Sequence, residues 1–163
     1  DSAGPEGTTV TISAPGSISG LTTLQGRRSH AGILVAITPG GAGPATSESD
    51  GSFWLGGLRP QAGGYEVRSS YPGYLTAIYR VAAVTVGEDT RLGLIKLLGG
   101  DATHDQVINI SDLAFIGKGE RFGHSGLADQ DAWADINGDG IVDILDVALA
   151  AVNFGKAAPQ PWG

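Results

Sequence analysis

The feature that most constrains this 163-residue chain is an aspartate-rich segment that occurs twice in its C-terminal third. Asp101 to Asp112 aligns with Asp135 to Asp146, so the two copies begin 34 residues apart. A short apolar stretch follows each copy, Leu113 to Gly117 in the first and Val147 to Phe154 in the second. Apolar residues spaced three or four apart form one face of a helix. The repeat therefore predicts two equivalent loop–helix units, each ending near a Phe-Gly pair.

The second copy, called loop two below, has oxygen-bearing residues at the spacing of a cation-binding loop. Calcium takes about 6–8 oxygen ligands, which an EF-hand-type loop supplies from positions 1, 3, 5, 7, 9 and 12. Gly140 stands at position 6, where such a loop bends sharply. An acidic turn that binds nothing is the alternative. The predicted Ca²⁺ ligands are the side chains of Asp135, Asn137, Asp139, Asp143 and Asp146 and the main-chain carbonyl of Ile141.

The first copy, called loop one below, has oxygen at every ligand position but departs from the pattern twice. Thr103 supplies a neutral oxygen at position 3, and Gln106 replaces the glycine at position 6. A non-glycine residue in the left-handed conformation costs on the order of 1 kcal/mol. We therefore expect two Ca²⁺ sites, of which loop one is the weaker. Its predicted ligands are the side chains of Asp101, Thr103, Asp105, Asn109 and Asp112 and the carbonyl of Val107.

The charge distribution agrees with a cation-binding C-terminal part. Formal net charge is −7, and all of the excess lies after residue 98. Such a field repels nucleic acids and anionic membranes, so neither is an expected partner. No apolar run approaches the roughly 20 residues that cross a bilayer. Two Ca²⁺ ions would reduce the net charge to −3. We expect the metal-free C-terminal part to be molten or unfolded, because a module this small buries little core.

The preceding part of the chain has the pattern of an all-β domain. Turn signals recur roughly every 10 residues, and no long stretch has helical periodicity. The predicted strands are Ile33 to Thr38, Ser52 to Leu55, Tyr65 to Ser69, Tyr74 to Val86 and Arg91 to Leu98. The expected fold class is therefore mainly β plus small α. It consists of a seven-stranded type of β-sandwich followed by the two loop–helix units.

Several of these segments resemble the carboxypeptidase regulatory-like domain, a small transthyretin-like β-sandwich. The resemblance covers about 80 residues and implies a structural or sugar-binding accessory role. Some relatives form a Lys–Asn crosslink from an early strand, but no lysine precedes Lys96, so no crosslink is expected. The matching residues are Ala31 to Val35, Thr46 to Phe53, Leu55 to Leu58, Gly64 to Val67 and Pro72 to Tyr74.

Residues 99–156, with their duplicated loops, resemble a dockerin, the module by which secreted proteins plug into cohesin domains. The resemblance implies an extracellular or cell-surface protein with a protein partner. Dockerins read that partner with loop positions 10 and 11 and the following helix. Here these positions are Ile110-Ser111 and Ile144-Leu145. The expected domains are an N-terminal extension (1–16), the sandwich (17–98), the dockerin-like module (99–156) and a tail (157–163).

Two functions fit this organisation. The first is a subunit of an extracellular filament, joined head to tail through the dockerin-like module and/or through a donated strand at Thr8 to Ser13. The alternative for that strand is pairing within its own domain. The alternative is an adaptor that binds a separate cohesin-type receptor. Nothing in the sequence resembles enzyme cargo, and we favour the filament subunit.

Other motifs carry weaker predictions. Gly123 to Leu127 approaches a nucleophile elbow but has leucine where the last glycine belongs, so no enzyme activity is expected. His30, His104 and His124 lack metal-ligand spacing and are expected at the surface. Asn109 lies in a glycosylation sequon, but we favour calcium coordination there. Trp54 and the tyrosines could form a carbohydrate platform, although packing is the commoner role of such residues. Cys is absent, which excludes disulfides and thiolate sites.

Overall fold

The computed structural model describes residues 14–40, 43–81 and 83–162, which form a mainly β, sandwich-like fold with few helices. The predicted strand at Thr8 to Ser13 lies outside the described residues. The strands are β1 (Gly16–Leu24), β2 (Leu34–Thr38), β3 (Ala45–Thr46), β4 (Ser52–Leu58), β5 (Tyr65–Ser70), β6 (Gly73–Tyr74), β7 (Ala77–Val81), β8 (Asp89–Leu97), β9 (Gly99–Asp101) and β10 (Gln160–Pro161). The helices are α1 (Ile110–Ile116), a 3₁₀ helix (Asp129–Ala134) and α2 (Ile144–Val152).

Two sheets face each other in the sandwich. One has the order β4-β1-β8, with β1 antiparallel to β4 and parallel to β8. The other has the order β10-β7-β5-β2-β3. Seven of these strands, all but β10, come from the segment before residue 98, as the sequence predicts. Alternating apolar residues such as Ile18, Val35, Leu55 and Val67 point inward and are fully or almost fully buried, so they form the core between the sheets.

The predicted strand from Tyr74 to Val86 is wrong as a single element. β6 and β7 replace it, and β6 leaves the sandwich to pair with β9. Gly73 has a φ of +79°, which turns the chain before Tyr74. β1 is not among the strands predicted from the sequence, although it occupies the centre of the three-stranded sheet.

The two helices of the C-terminal part begin earlier than predicted. α1 begins at Ile110 and α2 at Ile144, each three residues before the expected start. The reason is a capping box at each N-terminus, in which the loop residue before the helix bonds to the backbone of its first turn. Asn109 caps α1, and Asp143 caps α2.

The Phe-Gly pairs also lie beyond the helices rather than ending them. Gly123 and Gly155 have φ values of +81° and +80°. Gly123 lies seven residues after the end of α1, and Gly155 lies three residues after the end of α2. Gly123 N donates to the Val142 carbonyl at 2.8 Å, and Gly155 N donates to the Ile108 carbonyl at 2.8 Å. The segment after each helix therefore pairs with the loop of the other unit. Main-chain hydrogen bonds thus join the two units to each other.

The tail returns to the sandwich. β10 pairs in parallel with β7 and becomes an edge strand of the five-stranded sheet. Trp162 is buried edge-on against Phe53 and Tyr79, with ring centroids 6.1 and 5.8 Å away. Its Nε1 donates to the Gly93 carbonyl at 3.0 Å. The loop–helix pair is thus joined to the sandwich at both of its ends. Among the described residues, no helix is both long and apolar enough to span a membrane.

Candidate metal centre

Loop two is held in shape by its own carboxylates. Asp135 accepts hydrogen bonds from Gly138 N at 2.8 Å and from Gly140 N at 3.0 Å. Both glycines have positive φ, +72° and +92°, and so provide the bend predicted at position 6. Asp146, at position 12, accepts from Asn137 N at 3.0 Å. The first and last acidic residues of the loop therefore enclose its backbone amides.

Loop one has the same hydrogen-bond frame with different side chains. Asp101 accepts from Gln106 N at 3.1 Å and from Gln106 Nε2 at 2.9 Å. Asp112 accepts from Thr103 N at 2.9 Å and, through its other oxygen, from Asn109 N at 2.8 Å. The Thr103 hydroxyl also donates to Asp112 at 2.8 Å. The sequence repeat thus corresponds to a structural repeat.

Three of the predicted ligands are buried carboxylates. Asp101, Asp112 and Asp146 are each 0% exposed. One oxygen of Asp101 has no hydrogen-bond partner among the described residues. Burial, together with the carboxylate of Asp112, raises the pKa of Asp101 to about 6, and burial also raises the pKa of Asp146. Buried charges are stable when a counter-ion neutralises them. These oxygens therefore fit a hard cation such as Ca²⁺.

The remaining acidic ligands turn back towards the loop backbone. Asp105 accepts from Val107 N at 2.9 Å, and Asp139 accepts from Ile141 N at 3.0 Å. Asp143 accepts from Leu145 N at 2.7 Å as the cap of α2. Within the described ranges, no group of three or more His, Cys, Asp or Glu side chains gathers as a metal-binding cluster. Neutral oxygens from Asn, Thr and carbonyl groups would have to complete each site, and calcium binding stays a prediction.

Of the two departures in loop one, Thr103 bonds within the loop to Asp112, whereas Gln106 contacts the sandwich, as does the nearby His104. Gln106 adopts a φ of +66°, and its side-chain Oε1 accepts from Thr76 N at 3.1 Å. His104 also has a positive φ, +60°, and its Nε2 accepts from Gly73 N at 3.0 Å. Its ring lies 4.0 Å from that of Trp133, and burial lowers the pKa of His104. The prediction that His104 is a solvated surface residue is wrong, because it is half-buried in this contact.

Loop two contacts the sandwich through main-chain carbonyls. The Arg27 guanidinium donates from Nε to the Ile136 carbonyl at 2.9 Å and from Nη2 to the Asp135 carbonyl at 3.0 Å. The Tyr74 hydroxyl lies 2.8 Å from the same Ile136 carbonyl and is fully enclosed. Nothing in the local sequence pattern of either part indicates these contacts, since the partners are more than 60 residues apart.

β9 and α2 approach each other closely enough to require glycine. A Cβ at Gly100, whose φ is +125°, would lie 2.6 Å from the Cα of Ala150. Asn153, just after α2, is buried and donates to the Gly99 carbonyl at 2.8 Å. Gly99 and Gly100 therefore serve as a packing surface for the second helix.

Residues 17–97 match the family described as Carboxypeptidase regulatory-like domain. The sandwich is a carboxypeptidase regulatory-like domain. This match ends at residue 97, so the dockerin-like interpretation of residues 99–156 stays a prediction. No curated protein matches the chain.

Two solved structures resemble the chain over most of its length. Both are interface mutants of the type II Cohesin-X-Dockerin complex from Acetivibrio cellulolyticus, one mutated at a C-terminal and one at an N-terminal interface. Each is 27% identical and covers 87% of this chain and 97% of the relative. The TM-scores are 0.71 and 0.69.

The carboxypeptidase regulatory-like domain has one exposed aromatic residue on its outer face. Trp54 is 64% exposed, and its ring lies over Gly56, where a Cβ would meet it at 1.9 Å.

The segment from Gly123 to Leu127, which approaches a nucleophile elbow in sequence, pairs with loop two. Ser125 in this segment forms a β-bridge with Ile141.

A further group of exposed residues lies on the loop–helix pair. Five apolar side chains there are more than half exposed, although apolar residues of this size are normally buried. Three of them occupy loop positions 10 and 11, which the dockerin resemblance marks as recognition positions. The five are Ile110, Ile144, Leu145, Val152 and Phe154.

Proposed function

We propose that this chain is an extracellular, non-catalytic adaptor whose C-terminal loop–helix pair binds a cohesin-type receptor in a calcium-dependent manner. The breadth of the structural match carries this proposal. A match over 87% of the chain cannot be confined to the carboxypeptidase regulatory-like domain and has to include much of the segment after Leu98. The relative is a chain of a Cohesin-X-Dockerin complex, which supports a role in protein–protein docking.

The chain fits the docking side of such a complex. A β-sandwich followed by two calcium-type loops agrees with the dockerin resemblance of residues 99–156. The structural match to the Cohesin-X-Dockerin complex also favours the adaptor over the filament subunit. The strand at Thr8 to Ser13, on which one form of the filament depends, lies outside the described residues.

The exposed apolar residues supply the docking surface. Ile144 and Leu145 project from the first turn of α2, and Ile110 projects from the equivalent position of α1. Burying apolar surface against a partner is favourable by about 25 cal/mol per Å². Loop position 11 is Ser111 in α1 but Leu145 in α2, so the two faces are not interchangeable. We expect the partner to prefer the more apolar face of α2.

Calcium would act on this surface through the helix N-termini. Asp112 and Asp146 occupy position 12 of their loops and are also the third residues of α1 and α2. Each carboxylate accepts from the amide of the capping residue, at 2.8 Å in α1 and 2.9 Å in α2. A cation bound by these carboxylates would fix the start of each helix. The orientation of Ile110 and Ile144 therefore depends on the loop being closed.

Binding to a panel of type II cohesins, including the one from the Acetivibrio cellulolyticus complex, tests the proposal. We expect the protein to bind in calcium and to release in EDTA. The double variant Ile144→Asp/Leu145→Asp should lose binding. Leu94→Asp, an equally exposed apolar position on the sandwich, should bind as the unaltered protein does.

Three outcomes would contradict the proposal. Equal binding in calcium and EDTA would reject the calcium dependence. Binding to an isolated dockerin instead would place the chain on the receptor side. A chain that binds no cohesin but elutes as large calcium-dependent oligomers in size-exclusion chromatography would restore the filament interpretation.

A further inference from the structure

Arg27 reaches from the sandwich into the first turn of loop two. It lies in the turn after β1, and its guanidinium donates to two consecutive main-chain carbonyls. Nε bonds to Ile136 at 2.9 Å and Nη2 bonds to Asp135 at 3.0 Å. The planar fork of arginine is suited to two parallel acceptors, whereas the ammonium of lysine is a point charge. Arg27 therefore fixes both the position and the direction of the backbone there.

The surroundings of Arg27 leave its guanidinium little freedom. Nη1 lies 3.4 Å from the Tyr71 hydroxyl, and the Tyr71 and Tyr74 ring centroids lie 5.2 and 5.9 Å from Cζ. A Cβ at Gly138 would lie 2.8 Å from Nη1, so glycine at loop position 4 makes room for the guanidinium. Burial raises the pKa of Tyr74 to about 12, so its hydroxyl keeps the proton that it donates to a carbonyl. The fork is thus held on several sides.

We propose that Arg27 is a positioning residue of loop two, through which the sandwich sets the calcium affinity of that loop. The inference rests on the proposed calcium-dependent function. Asp135 supplies the first predicted ligand, and its main chain is the part that Arg27 holds. Because this backbone is already fixed, the Asp135 carboxylate stays bonded to the amides of Gly138 and Gly140. Loop two then loses less conformational entropy when calcium binds.

The guanidinium also has an opposing effect, since its positive charge repels a divalent cation. The two effects predict opposite results on removal of Arg27, and lysine separates them. Lysine keeps the charge but loses the fork. A positioning role therefore predicts that Arg27→Lys and Arg27→Ala weaken loop two alike, whereas repulsion predicts that Arg27→Ala binds calcium more tightly.

Loop one does not depend on this contact. Its first residue, Asp101, is part of β9, and β9 pairs with β6. Its position-6 residue, Gln106, bonds to the sandwich directly. The effect of Arg27 is therefore confined to loop two, and loop one is an internal reference in the same molecule.

The expectation of a molten metal-free C-terminal part treats it as a separate small module, whereas β10 and Arg27 join it to the sandwich. We therefore expect protected amides in loop two without calcium, and a calcium-free experiment tests the positioning role by itself. We expect amide hydrogen exchange at Asn137, Gly138 and Gly140 to become about tenfold faster in Arg27→Ala and Arg27→Lys, with Gln106 unchanged. Arg28→Ala, the exposed neighbour, is the matched control and should exchange as the unaltered protein does. Unchanged exchange in loop two of both variants would overturn the proposal, whether or not the protein binds calcium.

Calorimetric calcium titration, with the Gly140 and Gln106 amide signals used to assign each site, tests the affinity. We expect both Arg27 variants to weaken loop two by about tenfold and to leave loop one unchanged. Tighter binding by Arg27→Ala, or unaltered binding by Arg27→Lys, would overturn the proposal. An unaltered protein that binds no calcium would reject the proposed function, while the exchange experiment would still decide the role of Arg27. If Arg27→Ala does not fold, Arg27→Lys carries both measurements.

Discussion

Loop one begins inside a strand of the folded protein, whereas loop two begins after a short 3₁₀ helix. Both have the same frame, in which the first and last acidic residues bond to loop amides. Their anchors differ. Loop one is tied to the sandwich by side chains within the loop, Gln106 and His104. Loop two is tied through its main chain by Arg27.

The comparison explains why loop one departs from the calcium-loop pattern. Gln106 replaces glycine because its side chain bridges Asp101 and the Thr76 amide, and that bridge offsets the cost of a left-handed conformation. Loop two has open space around Gly140, since a Cβ there would meet nothing within 4 Å. Loop one therefore helps to hold the loop–helix pair against the sandwich, in addition to its predicted role as a metal site.

Removal of calcium should have the largest effect on both loops. Two ions bound at about 100 times their dissociation constants would stabilise the protein by roughly 5 kcal/mol, which corresponds to about 10–20 °C in Tm for a chain of this size. Thermal melts in calcium and in EDTA, followed by near-ultraviolet circular dichroism, measure this shift. Superimposable curves would show that neither loop holds an ion that matters for stability.

Asp101→Asn should have opposite effects with and without calcium. Without the ion, the substitution removes a buried charge with an unpartnered oxygen, and we expect a gain of roughly 1–2 kcal/mol after allowance for solvent screening. With calcium, the lost ligand should reduce stability. Urea unfolding in both conditions provides the measurement, with the exposed Asp139→Asn as the matched change in loop two. Destabilisation of Asp101→Asn in EDTA would contradict the account of its burial.

The calcium-free protein should become more stable as pH falls from about 7 towards 5. The pKa of Asp101 is raised to about 6, above its ordinary value, so the folded state takes up a proton that the unfolded state does not bind. Asp146 contributes in the same direction. In calcium the trend should reverse, because protons compete with the ion. Unfolding midpoints measured in EDTA across this range would reject the prediction if they decreased steadily as the pH was lowered from 7 to 5.

Gly140→Gln, which gives loop two the position-6 residue of loop one, should have the smallest effect. A side chain at this position is strained, because the backbone φ is +92°. A Cβ at Gly140 would have no atom within 4 Å, so the glutamine would lack the bond that Gln106 forms with the Thr76 amide. We expect a loss of about 1 kcal/mol and weaker calcium binding by loop two alone. Gln106→Gly is the reciprocal variant. If Gly140→Gln were neutral in urea unfolding, the bridge from Gln106 would not explain its place in loop one.

Local sequence patterns predicted part of this structure. A compact apolar run located β2, the alternation of residues located β5, and the oxygen spacing located both loops. β1 escaped because Ser, Gly and Thr fill most of its positions, and its stability comes from two neighbouring strands. The contacts of Arg27 were also not predicted from the sequence, since they join residues more than 100 positions apart. Long-range pairing of this kind leaves no periodic signal in the chain.

The return of the tail has a consequence for how the chain can be divided. Residues 99–159 leave the sandwich after β8 and come back as β10, so they are topologically an insertion rather than an appendage. Cutting the chain after Leu98 would remove an edge strand and uncover Phe53 and Tyr79, which Trp162 covers. The loop–helix pair is therefore not a cassette that can be fused to other proteins by itself. The smallest transferable piece is the sandwich together with everything that follows it.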